Sequence, residues 1–339
     1  MPSLVLKNGV VFAYTDSGAV AGGSSYTTLV IIHGHTFHSG TFQRLNPLAQ
    51  PNSLRIISVN RREYPGSSPY SAEELSVFVD GNDAERASLL EQQGRDLAMF
   101  IDGIAQIVDP TGGIALIGWS LGAIFVLALI GCIATLPPAT QERLSTRVHS
   151  VIMLQTPSLA LGLPTPSGWL IPHTDPDIPA EARGPAFAKW VSSYFLHGDL
   201  STRSMDQLTY NNFDPDRPAT IEILKPEELF DMTDFSPAEK YDNIVGLPPF
   251  ESAVFNQTNK ALFDSSVREA WSAARFWSVY GSAEPWNIIY GAWFLEDKLR
   301  TINDPNFAIN FKVLEGCNHF LVWEDPEKAI DELKECFST

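Results

Sequence analysis

The stretch GIALIGWSLG (residues 113–122), with AIFVLALIGC (123–132) behind it, decides how this chain is read. Gly113 to Gly118 is a short apolar run of the kind that forms a strand covered on both faces. The apolar run from Leu121 to Leu136 is shorter than the ~20 residues a membrane span needs, and it stops at Pro137-Pro138. Directly after a buried strand it reads as a buried helix. Between the two lies Gly118-Trp119-Ser120-Leu121-Gly122, a G-x-S-x-G pattern. A strand that turns at once into a helix forces strained backbone angles on the residue at the bend, and flanking glycines let the two elements approach closely. The Ser120 hydroxyl is thereby lifted clear at the positive end of the following helix. It becomes a candidate nucleophile, and without a partner base it would be only a serine in a glycine-rich turn.

Outward from this point the chain alternates strands and helices. Thr27 to His33, Leu54 to Asn60 and Val148 to Gln155 are further buried-strand runs, and Thr41 to Leu48 can make a short helix between the first two. Asp83 can cap a helix running to Val108, with Leu90, Leu97, Phe100, Ile101, Ile104 and Ile107 at three- and four-residue steps. The N-terminal segment reads as a hairpin with a tight primed turn at Asn8-Gly9. After an irregular stretch the pattern resumes with a helix at Ser266–Ala274 and a strand at Phe276–Gly281. A helix from Pro285 to about Arg300, a strand Phe307–Leu314 and a helix Pro326–Phe337 complete it. This predicts an α/β fold with a mostly parallel, doubly wound sheet.

The irregular stretch, residues 157–257, is rich in proline, aromatic and acidic residues, with helices expected at Ala180–Leu196 and Pro226–Met232. A hundred such residues inside a domain imply a largely helical lid inserted into a core formed by residues 1–156 and 258–339. Phe187, Trp190, Tyr194 and Phe195 would then face a cavity, or, as favoured for most of them, hold the insertion together.

Bulk properties narrow the function. The chain has 339 residues and a formal net charge of −17, which argues against nucleic acid and anionic membranes as partners. The acidic surface serves solubility, with attraction of a cationic substrate as the sharper alternative. Three cysteines (Cys132, Cys317, Cys336) make neither a disulfide framework nor a metal-ligand spacing. The N-terminus lacks the features of a signal peptide, so a cytoplasmic protein acting on a small molecule is expected.

A base must accompany the serine, and imidazole alone titrates near neutrality. Of seven histidines, His319 stands in a short loop, Glu315 to Phe320, between the last strand and the C-terminal helix. His33, His35 and His38 lie together without a cysteine or carboxylate at suitable spacing, so a metal site is not expected there; His35 suits a pocket wall.

With these residues the chain resembles the α/β-hydrolases over nearly its whole length, specifically their lid-bearing serine hydrolases of small molecules such as esterases, lactonases and peptidases. His33-Gly34 resembles the family's oxyanion-loop motif, which implies backbone N–H donors at His35 (or Thr36) and Leu121. The loop Glu315–Phe320 resembles the family's G-x-x-H. Asn60 to Ser68 resembles D-x-R-G-x-G-x-S but departs from it at Asn60 and Pro65, and no catalytic role is inferred there. The resemblance places the acid after the penultimate strand, where Gly281-Ser282-Ala283-Glu284-Pro285 supplies Glu284. The competing choice, Trp286–Gly291 as the strand with Glu296 or Asp297 as the acid, leaves only 22 residues before His319. It also ignores how well Pro285 starts a helix. Trp119, Gly34, Thr36, Tyr194 and Trp190 are the expected substrate contacts. The resemblance implies a hydrolase needing no cofactor, acting on a small, largely apolar ester, thioester or lactone. A non-hydrolytic acyltransferase, cyclase or lyase using the same triad, or a receptor of this fold, stands as the alternative.

Overall fold

The apolar runs become the centre of one sheet. The computed structural model describes residues 1–21, 25–108 and 112–337, without the side chain of Glu239. Eight strands are present among them: β1 (Ser3–Val5), β2 (Val11–Asp16), β3 (Thr27–Ile32), β4 (Leu54–Val59), β5 (Ile114–Trp119), β6 (Val148–Leu154), β7 (Arg275–Gly281) and β8 (Asn310–Leu314). They lie in the order β1-β2-β4-β3-β5-β6-β7-β8. β1 and β2 run antiparallel to their neighbours, and β4 through β8 are parallel. Successive side chains on a strand point to opposite faces. Val30, Ile32, Leu116 and Met153 therefore pack with the helices Asp83–Val108, Gly122–Gly131 and Pro248–Phe263. Leu29, Ile31, Ile117 and Ile152 pack on the other face with Ser39–Ala49, Trp286–Ile302 and Pro326–Phe337. Both faces are covered, which is why the parallel strands read as unbroken apolar runs.

The apolar run after Ser120 is the buried helix Gly122–Gly131. Among the described residues no helix is long and apolar enough to cross a membrane. Residues 157–247 form short helices, including Arg183–Val191 and Pro226–Met232, above the C-terminal ends of the strands. An insertion boundary after residue 257 falls inside the helix Pro248–Phe263, which packs on Gly122–Gly131 and Asp83–Val108.

Local differences have simple causes. The first hairpin does not use a primed turn: Lys7 and Asn8 keep negative φ, and only Gly9 is left-handed, at φ 87°. Leu6 N–H donates to Val10 O at 2.8 Å and Gly9 N–H to Leu6 O at 2.9 Å, closing a three-residue loop. Asn8 instead donates to Asp96. The long helix is capped by Asn82, whose Oδ1 accepts from Ala84 and Glu85 N–H, and not by Asp83. Ile107 is 62% exposed, because Val108, four residues after Ile104, takes the core position.

The bend at Ser120 depends on missing side chains. A Cβ on Gly122 would lie 2.2 Å from Ile32 O, and one on Gly118 2.7 Å from Ala123 Cα. On the same helix a Cβ on Gly131 would meet nothing nearer than 3.8 Å. Gly122→Ala is therefore expected to lower the unfolding free energy by at least about 2 kcal/mol. Gly131→Ala should be neutral or slightly stabilising. Urea denaturation of the pair measures both.

Candidate active site

The loops that follow β3, β5, β6, β7 and β8 converge at one edge of the sheet, where an α/β fold holds its site. Ser120 stands at the bend with φ 56°, a left-handed conformation that is uncommon for a side-chain-bearing residue. Gly34 crosses directly above it, where a Cβ would come within 2.8 Å of Ser120 Cβ. Among the described residues, neither His35 N–H nor Leu121 N–H has an acceptor. Thr36 N–H is already donated to Tyr64 Oη at 3.0 Å, which leaves His35 as the free donor of that loop.

His319 lies in the loop after β8. Its Nδ1 is 3.2 Å from Glu284 Oε2, and Glu284 is fully buried. Glu284 Oε1 accepts from Gly281 N–H at 2.5 Å and from Gln155 Nε2 at 2.7 Å. Gln155 also donates to Asn318 O and accepts from Trp119 Nε1. The Trp119 indole stacks on the His319 ring, with centroids 4.9 Å apart and planes 25° apart. His319 is thus sandwiched against the residue next to Ser120. In this structure Ser120 Oγ makes no hydrogen bond to His319 or to any other described residue. Such pairs are often loose without substrate and tighten in the reactive complex.

The competing acids lie elsewhere. Trp286–Ile302 is a helix, and Glu296 and Asp297 both pair with Arg203 on its outer side.

Ser120 opens into a mainly apolar cavity beneath the insertion. His35, Leu121, Phe187 and Trp190 line it. Four expected contacts do not line it, and the first, Gly34, is packed against Ser120 behind the wall. Trp119 is fully buried behind the histidine. Thr36 is buried, with Oγ1 bonded to His35 Nδ1 at 2.8 Å. Tyr194 lies beneath the Arg217 guanidinium, outside the cavity wall. Phe195 stacks on His197 and meets Trp190 and Phe213 edge-on, and so holds the insertion together.

Several residues that were given no role in the sequence reading complete the arrangement. The buried Arg61 donates to His33 O (3.1 Å) and Gly34 O (2.8 Å), and to both oxygens of Asp242 (2.9 and 2.7 Å). Tyr64 Oη donates to Asp242 Oδ2 at 2.5 Å. His35 Nε2 meets Asn243 Oδ1 at 2.8 Å. Residues 242–243 of the insertion thus grip the loop that carries the free His35 N–H. Burial opposes the charge on Arg61, but Asp242 prevails and holds its pKa above the ordinary value.

A sequence profile of the alpha/beta hydrolase family matches residues 29–332. The chain belongs to this family. No curated protein matches the sequence of this alpha/beta hydrolase. Its fold is similar to proline iminopeptidase of Mycobacterium smegmatis at 11% identity and TM-score 0.56, covering 99% of this chain and 97% of that one. It is similar also to the esterase RhEst1 of Rhodococcus sp. ECU1013 at 16% identity and TM-score 0.51, covering 100% and 98%. At such identities the likeness is one of fold.

Two predictions concern this hydrolase's buried polar groups. Removing one member of the Arg61–Asp242 pair strands the other in the interior. Asp242→Asn or Arg61→Met should each cost about 3–5 kcal/mol, and the double variant should cost less than the sum. A double-mutant cycle in urea measures this. The second concerns pH. Burial holds His33 well below its ordinary value and His173 down to about 3, so both stay neutral when folded. Below pH ~6.5 the unfolded chain takes up protons that the folded one refuses, so stability falls with pH through that window. Together they should make the protein roughly 2–4 kcal/mol less stable at pH 5 than at pH 7. Urea titrations at the two pH values check it.

Proposed function

We propose that the protein is a serine hydrolase that cleaves a small, largely apolar ester, thioester or lactone through an acyl-enzyme on Ser120. The observation that carries this reading is a convergence. A serine with left-handed backbone opens into an apolar cavity, His35 and Leu121 beside it carry backbone N–H groups without acceptors, and the neighbouring Trp119 stacks on a histidine paired with a buried carboxylate.

In the proposed mechanism Ser120 Oγ attacks the carbonyl carbon while its proton passes to His319 Nε2. The carbonyl oxygen becomes an oxyanion held by the N–H groups of His35 and Leu121. Glu284 keeps the imidazole proton on Nδ1 and stabilises the imidazolium. Collapse of the intermediate breaks the bond to the alcohol or thiol, which leaves with the proton from His319. Water then gives a proton to His319 and attacks the acyl carbon, and the second intermediate releases the acid and restores Ser120. An apolar acyl or alcohol portion is favoured because the cavity wall is mainly aliphatic and aromatic. Its one acidic lining residue, Asp242, is neutralised by Arg61, which argues against a cationic substrate. Fold alone does not choose the reaction. The insertion, residues 157–247 in this reading, acts as the lid.

A fluorophosphonate probe should label wild type and not Ser120→Ala. With p-nitrophenyl butyrate, Ser120→Ala and His319→Ala should each lose at least about a thousandfold in kcat. Glu284→Gln should lose roughly a hundredfold or more, and Asp297→Asn should stay within about twofold. Labelling or turnover that survives in Ser120→Ala would assign the chemistry elsewhere.

A further inference from the structure

The cavity wall is apolar except at a few points, and two of its polar groups have no partner. Asn287, on the first turn of the helix Trp286–Ile302, is only 4% exposed and lines the cavity. Its Oδ1 is buried without a hydrogen bond, and its amide nitrogen donates to no described residue. His173, from the insertion, lines the same cavity, and its Nε2 is likewise buried and unpartnered. The ring is held in place by His35 and Phe187, with centroids at 4.9 and 4.5 Å. Apart from Ser120, the other polar lining groups are engaged: Asp242 with Arg61 and Tyr64, and His35 with Thr36 and Asn243.

A buried polar atom left unpaired costs about 1–3 kcal/mol. A leucine at position 287 would avoid that cost and match the wall around it. The groups therefore make physical sense if something entering the cavity completes them. That group must be neutral. Among the described residues no lysine or arginine lines the cavity, its one carboxylate is already paired, and a bare charge there would lose its hydration without compensation. A carboxamide such as Asn287 both donates and accepts, so its natural complement is an amide or a hydroxyl.

We propose that Asn287 and His173 form a polar subsite that selects substrates bearing a neutral amide or hydroxyl on an otherwise apolar portion, away from the bond that is cleaved. This deepens the serine-hydrolase reading and rests on it for the cavity's being the substrate site. A site built to hydrogen-bond one group discriminates strongly against analogues that lack it.

Two measurements test it. The first compares kcat/KM for p-nitrophenyl 4-acetamidobutanoate and p-nitrophenyl heptanoate, equal in chain length, in wild type, Asn287→Leu and His173→Phe. The ratio of acetamido to alkyl ester should fall about tenfold in each variant, the effect of one lost hydrogen bond. Asn287→Ala run in parallel keeps the test valid if leucine disturbs folding. A ratio within about twofold of wild type in all three variants overturns the proposal and leaves ordered water as the partner of these groups. The second measurement needs no catalysis. Calorimetry on folded Ser120→Ala compares N-pentylacetamide with octan-2-one, which differ by N–H against CH2. Adding Asn287→Leu should weaken the amide about tenfold and spare the ketone. Equal loss of both overturns the subsite. Selective loss of the amide in a protein whose wild type turns over neither ester would sink the serine-hydrolase reading and leave the subsite standing.

Discussion

Everything at the site depends on one steric constraint, the crossing of three backbones where β5 turns into its helix. Gly34, Gly118 and Gly122 lack the side chains that would collide there, the nearest coming within 2.2 Å of Ile32 O. That closeness lets Ser120 adopt φ 56° and stand free of the sheet. The strain is small beside the burial of β5 and its helix, both of which are wholly inside the core. The fold can therefore sustain it. The same crossing packs Gly34, and with it the loop that carries His35, directly against Ser120.

Left-handed backbone at residues with side chains gathers around this crossing. Thr36, Glu63, Ser120 and Gln155 all have φ between 56° and 71°. Each is held by bonds that outweigh the local cost, of order 1–3 kcal/mol. Gln155 is the most heavily tied. It ends β6 and its amide links Trp119, Glu284 and Asn318, so the carboxylate beside His319 is set by a residue that never meets the cavity. Asn318 in turn donates to Ser192 O and Thr220 Oγ1, which fastens the histidine loop to the insertion.

The sheet was legible because strands buried on both faces carry runs of apolar residues, as Leu29–Ile32, Ile114–Trp119 and Val151–Leu154 do. That Ser120, Glu284 and His319 lie in the loops after β5, β7 and β8 was legible from the G-x-S-x-G bend and from the order of strands and helices behind it. Ala72–Asp80 was missed although Ser71 and Glu74 form its capping box, a local signal with physical content. Arg61, Asp242 and Gln155 were not legible. Their importance lies in partners 181 and 129 residues distant in the chain, and nothing local marks a side chain whose role is to meet another from a different layer. The hairpin turn differs for a related reason: Asn8 accepts from Val10 N–H within the turn and also donates to the distant Asp96.

The clamp between Arg61 and Asp242 bears on how such proteins diversify. Insertions over a common sheet look like modules that recombination could exchange freely. Here the module carries half of a buried ion pair and the scaffold the other half, and the scaffold half also fixes the backbone of residues 33 and 34. A transplanted insertion without an acid at that point would leave a guanidinium stranded beside the donor loop. The two segments are bound to change in concert, and grafting experiments on this scaffold must carry residue 242 along with the graft.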